Sequence, residues 1–255
     1  FRRVLFRSND ASYHDMYYMN PPAKDLSKIA SSDKVKKVQK DFEATHVRPQ
    51  RLMKTLFTDE AYVKANVDEA RLMRRLFDLA CNMQSHDTDM QLYSLFTDEE
   101  CYDLWSCNNL YWYLTHACSP VTDGLMPYRE ADLLRNILDR ADAALKEGKN
   151  QATLRFGHES CLLPLVALLE LNHYGESYPD VEKLSEQWRA YDIFPMASNV
   201  QFVFFHKKGS NDVLVKVLLN EKEAKLPVKT DVAPYYHWKD VESYYREKLD
   251  KYQHI

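Results

Sequence analysis

The residues with the clearest capacity for chemistry are His158 and Glu159, which stand side by side in the stretch Leu-Arg-Phe-Gly-His-Glu-Ser-Cys-Leu-Leu-Pro, residues 154–164. Residues 152–156 read as a short strand and residues 161–171 as an apolar helix. Ligands of open α/β sheets bind where strands end, and a helix N-terminus offers free N–H groups and partial positive charge that suit a phosphate. An imidazole can donate to a phosphoryl oxygen, and a carboxylic acid can protonate an alcohol leaving group. The pattern is therefore compatible with phosphomonoester hydrolysis.

The same pair has a purely structural interpretation. A His-Glu at a helix start is often only a capping pair, because Glu is favourable beside the positive end of the helix dipole. Taken alone, the pair is more often structural than catalytic. Pro164 is expected near the first turn of this helix, where a missing N–H costs least.

The elements that must position the pair fall into two regions that differ in predicted secondary structure. Residues 9–128 read as mainly helical, with one helix after Ser32-Asp33, a second opened by residues 58–60 and continuing to Ala80, and a third behind a capping box of Thr97 and Glu100.

The second region covers residues 129–255 and mixes predicted helices and strands. A helix over about 129–147 ends at Gly148, as expected of a C-cap glycine. Residues 200–205 and 213–219 predict a β-hairpin around residues 207–212, and a charged helix is predicted from about 238 to 252. This order predicts an α/β fold with a helical cap beside the α/β layer.

Composition narrows the function classes. The 255 residues carry a formal net charge of −4, which gives no footprint for nucleic acid or an anionic membrane. The longest apolar run, residues 161–169, is too short to cross a bilayer. The 5 cysteines form no Cys-x-x-Cys pair, and the 9 histidines show no metal-ligand spacing. Residues 1–8 lack an initiator Met and are expected to be a non-native scar, so they are excluded from fold reasoning.

A family resemblance adds to these patterns. Residues 154–168 resemble the proton-donor segment of histidine acid phosphatases, in which a strand ending in Phe-Gly-His precedes an acid and an apolar helix. Further stretches are similar, in family order, to the bacterial branch of the multiple inositol polyphosphate phosphatases; these are residues 15–20, 108–114, 119–120, 195–201, 215–221 and 234–238. Together they are spread over nearly the whole range from residue 12 to residue 246.

The resemblance implies an incomplete histidine-phosphatase α/β core, residues 129–255, with a large helical cap domain, residues 9–128. It implies that His158 contacts the phosphate and Glu159 donates the proton, with Ser198 and Asn199 lining the substrate pocket. It also implies a small-molecule phosphomonoester as partner, no metal or other cofactor, and a secreted or periplasmic location.

The family reaction has two steps: a nucleophilic His takes the phosphoryl group, and water then releases it. That nucleophile belongs to an Arg-His-Gly-x-Arg-x-Pro motif, and this sequence contains no Arg-His-Gly. We therefore expect the 255 residues to be inactive alone. Much of the family has His-Asp at the donor site and the inositol-polyphosphate branch often has His-Ala-Glu, whereas this chain has His158-Glu159-Ser160, so donor geometry and substrate preference stay open.

Two alternatives remain beside the inositol-polyphosphate phosphatase hypothesis. The chain could be a non-catalytic helical binding module in which the His-Glu pair is only a cap. It could also belong to an acid phosphatase for another small phosphomonoester. The sequence leaves disulfide pairing and oligomeric state undetermined.

Overall fold

A computed structural model of the chain describes residues 24–148 and 152–252. Two compact units divide these residues: a helical unit, residues 33–112, and a mixed unit, residues 24–32 together with 113–252. The suspected scar at residues 1–8 and the family-like stretch 15–20 lie outside the described residues. The boundary predicted after residue 128, between the helical cap domain and the α/β core, stays a prediction.

The helices are numbered in chain order. They are α1 (Lys24–Ala30), α2 (Asp33–His46), α3 (Gln50–Leu56), α4 (Glu60–Asn66), α5 (Glu69–Asn82), α6 (Asp98–His116), α7 (Ala131–Glu147), α8 (Glu159–Leu168), α9 (Leu184–Gln187), α10 (Ala190–Ile193) and α11 (Trp238–Tyr252). No helix among the described residues has the length and apolar character needed to cross a membrane.

Side-chain caps start the helices of the helical unit. The Asp59 carboxylate accepts the N–H of Tyr62 at 2.9 Å and so begins α4, and the Asp68 carboxylate accepts the N–H of Arg71 at 3.1 Å and begins α5. The single helix predicted from residue 58 to Ala80 is therefore wrong, because a second capping aspartate restarts the chain after an extended Val67.

The capping box predicted at the start of α6 is confirmed. The Thr97 hydroxyl accepts the Glu100 N–H at 3.2 Å, and the Glu100 carboxylate accepts the Thr97 N–H at 3.0 Å. The same carboxylate binds the Arg51 guanidinium, so Glu100 both caps α6 and ties it to α3. The pKa of Glu100 is lowered by this hydrogen bond with Arg51.

The mixed unit contains a small antiparallel sheet. Strand β1 (Val200–His206) pairs with β2 (Val213–Leu219), and β2 also pairs with β3 (Lys222–Glu223) and β4 (Tyr236–His237). Every second residue of β2 is buried, so one face of the sheet joins the core. The predicted hairpin is confirmed.

Helix α11 packs on this sheet and on α7. Its buried residues follow helical spacing, namely Trp238, Val241, Tyr245 and Leu249. The Trp238 indole donates to Asp142 of α7 at 2.9 Å. The predicted bounds of this last helix are confirmed, as is Gly148, which ends α7 in the left-handed conformation with φ 64°.

The strand predicted at residues 152–156 does not form. The segment has no regular secondary structure and belongs to no ladder, and Leu154 and Phe156 are 76% and 73% exposed. A strand needs a neighbouring strand to accept and donate its backbone hydrogen bonds. No described segment pairs with residues 152–156, so these residues do not form a strand despite their strand-like composition.

Candidate active site

The predicted site residues lie at the N-terminus of α8. His158 is the residue before the helix, with an extended backbone (φ −115°, ψ 165°), and its carbonyl accepts the N–H groups of Cys161 and Leu162, each at 3.1 Å. The side chains of His158 and Glu159 are both exposed. The structure thus presents an imidazole and a carboxyl group together at the start of a ten-residue helix.

The first turn of α8 keeps free donors beside this pair. The N–H groups of Glu159 and Ser160 have no hydrogen-bond partner within residues 24–148 and 152–252. The His158 side chain makes no capping hydrogen bond. Free amides and the positive end of the helix dipole favour an anion at this place. The absence of a side-chain cap weighs against a purely capping role for His158.

Helix α8 is buried on most sides beyond its first turn. Its buried residues run from Cys161 to Leu168, with Leu162 partly exposed. Pro164 is the sixth residue of the helix, so the expectation that it falls near the first turn is wrong. A proline there removes the hydrogen bond that residue 164 would otherwise give to the Ser160 carbonyl.

A buried polar group lies beneath the first turn. The 3₁₀ turn Met126–Glu130 packs on α8, and the Cys161 thiol donates to Oε2 of Glu130 at 3.2 Å. Glu130 is 2% exposed and Cys161 6% exposed. Burial raises the pKa of Glu130 to about 7 and raises the pKa of Cys161 as well, so the thiol stays protonated and able to donate.

Arg129, whose positive charge favours the ionised form of Glu130, also lies near Thr115 and His116. An Arg129 guanidinium nitrogen donates to the Thr115 carbonyl at 3.5 Å, and the Thr115 hydroxyl contacts Nδ1 of His116 at 2.7 Å. Burial, and then the charge of Arg129, lower the pKa of His116 to about 4. Sequence reasoning missed Glu130, because nothing in its flanking residues distinguishes a buried acid from one that starts an exposed helix.

The other predicted site residues, Ser198 and Asn199, lie in the loop before β1. The Asn199 N–H donates to the Asn220 side chain at 3.1 Å, and the Asn220 N–H donates to the Asn199 carbonyl at 2.8 Å. The Asn199 amide itself donates to the Ala197 carbonyl at 3.2 Å and accepts from Gln201 at 2.8 Å. Asn199 is therefore engaged in holding its own loop.

The structure does not join the two predicted pairs directly. Over the described ranges, no hydrogen bond or ion pair connects Ser198 or Asn199 to His158 or Glu159. Asn220, which sequence reasoning did not single out, fixes the loop by donating to the Ile193 carbonyl at 3.1 Å. The pocket-lining role of Ser198 and Asn199 stays a prediction.

A cavity of about 540 Å³ lies at the other end of α8. Ala167, Leu168, Glu170 and Lys248 are among its lining residues. Ten residues at about 1.5 Å each separate the two ends of the helix by roughly 15 Å. The cavity is therefore distinct from the exposed His158–Glu159 pair.

Comparison with known proteins agrees with this architecture. Residues 7–220 match the family model described as the histidine phosphatase superfamily (branch 2). The chain is 28% identical over 134 residues to multiple inositol polyphosphate phosphatase 1 of Homo sapiens, and the match covers 48% of this chain and 27% of that protein.

Two crystal structures of the Bifidobacterium longum multiple inositol polyphosphate phosphatase are also similar. The complex with inositol hexasulfate has a TM-score of 0.56 and the complex with phosphate a TM-score of 0.61, each at 19% sequence identity. They cover 86% and 88% of this chain but 53% and 55% of theirs. The chain thus spans little more than half of these relatives, and less of the human one.

These matches confirm the family resemblance and the α/β class. The described fold is mostly helical with a small antiparallel sheet, and its solved neighbours share it. Since the family model covers most of the sequence, the chain belongs to the second branch of the histidine phosphatase superfamily, a family of phosphatases.

Proposed function

We propose that the whole protein hydrolyses inositol polyphosphates such as phytate through a phosphohistidine intermediate, and that this chain supplies the proton-donor half of the active site. The observation that carries the proposal is the exposure of His158 and Glu159 together beside the free amides of α8. The two similar proteins named as multiple inositol polyphosphate phosphatases support the substrate class.

Each group has a role in the first step. The His158 imidazole donates a hydrogen bond to a phosphoryl oxygen, and the amides of Glu159 and Ser160 offer further donors to the anion. The bond between phosphorus and the alcohol oxygen breaks as the nucleophilic histidine forms the P–N bond. The Glu159 carboxylic acid gives its proton to the departing alcohol oxygen.

The second step returns the site to its starting state. Water attacks the phosphohistidine, and Glu159, now a carboxylate, accepts the proton that the water loses. Inorganic phosphate leaves and the histidine is free again. The attacking histidine is assigned to the part of the protein beyond this chain, because no Arg-His-Gly occurs in these 255 residues.

The exposed segment before the site supports this division of labour. Leu154 and Phe156, two residues apart, expose their apolar side chains to solvent. The Arg155 guanidinium donates to Asn136 of α7. A strand from the remainder of the protein would cover the apolar side chains and complete the backbone ladder that residues 152–156 lack.

The test compares this chain with the complete protein. Both are incubated with phytate and with an aryl phosphate at acidic pH, and released phosphate is measured. We expect turnover by the complete protein alone, and a loss of about 10²-fold or more on phytate in Glu159→Gln. Phosphate release by this chain alone, if it disappears in Glu159→Gln, would contradict the proposal that the nucleophilic histidine lies outside these 255 residues.

Full activity of Glu159→Gln in the complete protein would overturn the proposed role of Glu159. A substrate panel of phytate, a sugar phosphate and a phosphoglycerate separates an inositol-polyphosphate enzyme from an acid phosphatase for another small phosphomonoester. Preference for either of the latter two would refute the substrate class while leaving the reaction intact.

A further inference from the structure

Glu130 is a buried acid with only half of its carboxyl group in use. Oε2 accepts the Cys161 thiol at 3.2 Å, while Oε1 is buried and has no hydrogen-bond partner among the described residues. No ion pair to Glu130 is present in the part of the chain that the structure describes. A buried carboxyl group that is half satisfied costs stability compared with an apolar side chain of similar size. Stability alone therefore does not explain its presence.

The partner of Glu130 belongs to the turn that carries the proposed chemistry. Cys161 lies two residues after Glu159, and its N–H donates to the His158 carbonyl at 3.1 Å. Within the described ranges, the thiol of Cys161 makes the one side-chain hydrogen bond formed by residues 158–162. Because His158 makes no side-chain cap, this buried bond is, among the described residues, the one side-chain hydrogen bond that ties the first turn of α8 to the rest of the mixed unit; we call it the tether.

We infer that Glu130 is a positioning residue, which holds the first turn of α8 through Cys161 so that Glu159 is aimed at the leaving-group oxygen. This inference rests on the proposed function. A proton donor must approach its acceptor to hydrogen-bond distance, and a displacement of about 1 Å can cost on the order of 10²-fold in rate. A short turn with one buried anchor is sensitive to that anchor.

The protonation of Glu130 fits this role. Burial raises its pKa to about 7, so the carboxyl group is neutral at acidic pH. A neutral carboxyl group still accepts a thiol through its carbonyl oxygen. At higher pH Glu130 becomes a carboxylate, a form that burial opposes but that the Cys161 thiol and the charge of Arg129 favour.

The test uses two substrates that differ in how much they need a proton donor. Inositol hexakisphosphate has alkoxide leaving groups that must be protonated, whereas para-nitrophenyl phosphate releases a stabilised phenolate that needs little protonation. The complete protein is compared as wild type, Glu130→Leu, Glu130→Gln, Cys161→Ala and Cys161→Ser, with kcat/KM measured for both esters.

Loss of the tether should separate the two substrates. We expect Glu130→Leu and Cys161→Ala to lower kcat/KM for the inositol ester by about 10-fold or more, and for the nitrophenyl ester by less than about 3-fold. The matched variants Glu130→Gln and Cys161→Ser keep an acceptor and a donor, and should stay within about 3-fold of wild type on both esters. A merely structural role would lower both esters together.

The outcome with Glu159→Gln distinguishes the two proposals. If Glu159→Gln separates the substrates and neither Glu130→Leu nor Cys161→Ala does, the positioning role is wrong and the proton donor stands. If Glu159→Gln does not separate them, the proposed function itself fails. If Glu130→Leu does not fold, Cys161→Ala alone decides, since it deletes only the thiol.

Discussion

Replacing Glu130 by Gln should change how the stability of the mixed unit depends on pH. Burial raises the pKa of this carboxyl group from its ordinary 4.5 to about 7, so the folded state binds the proton more tightly than the unfolded chain. The stabilisation is fully present below pH 4.5 and is lost as the pH rises through 7. At about 1.4 kcal/mol per pH unit, the loss is about 3 kcal/mol.

His116 contributes the opposite slope and serves as a matched control. Its imidazole is 6% exposed, and burial with the charge of Arg129 lowers its pKa from 6.5 to about 4. Its contribution is present above pH 6.5 and is lost as the pH falls through 4, again about 3 kcal/mol. The two slopes nearly cancel in the wild-type chain.

The variants should therefore diverge in opposite directions. Between pH 4.5 and 7, the free energy of unfolding should rise with pH in Glu130→Gln, fall with pH in His116→Asn and change least in the wild type. The constant offset from each substitution does not enter, because only the slopes are compared.

The assay is urea unfolding at closely spaced pH values. Fluorescence of Trp188 and Trp238 reports the mixed unit when Trp105 and Trp112 are replaced by Phe. Parallel pH dependence in the wild type and Glu130→Gln would refute the reasoning, because it would mean that Glu130 has the same pKa in the folded and unfolded states.

Two further predictions concern other parts of the chain. Thr97→Ala should lower the free energy of unfolding of the helical unit by about 1 kcal/mol, because it removes the hydroxyl of the α6 capping box. Thr97→Ser keeps a hydroxyl and should therefore retain most of that stability. Equal losses for the two variants in a urea titration would contradict this prediction. The His237 imidazole is hydrogen-bonded to Asp212 and to Asp231, which raise its pKa, so its NMR titration midpoint should lie above 6.5. The stability that these contacts contribute to the folded state should be lost as the pH rises through that raised pKa. A midpoint that is unchanged in Asp212→Asn would count against the contact with Asp212.

Local signals predicted the elements that depend on local physics. The capping box at Thr97, the left-handed Gly148, the hairpin turn and the bounds of α11 each arise from residues close in sequence, and each is confirmed. The break between α4 and α5 was local as well. The Asp68 cap was present in the sequence but was outweighed by the continuous apolar spacing on either side of it.

The wrong and missing predictions depend on distant residues. Residues 152–156 have strand composition, yet a strand exists only with a partner, and no described segment supplies one. Glu130 and Cys161 are 31 positions apart, so neither the buried acid nor its thiol partner leaves a mark in the sequence. The His158–Glu159 pair was found because both residues adjoin one helix start, whereas the support beneath that start was not.

The sheet of the mixed unit has a single hub, since β1, β3 and β4 each bond to β2 and to no other strand among the described residues. Val215 and Val217 of this hub are fully buried, so β2 cannot detach without opening the core. The amide protons of β1, β3 and β4 that point toward β2 should then exchange with solvent through one shared opening. A cavity-creating substitution at Val217 should raise the exchange rates of all these amides by a similar factor.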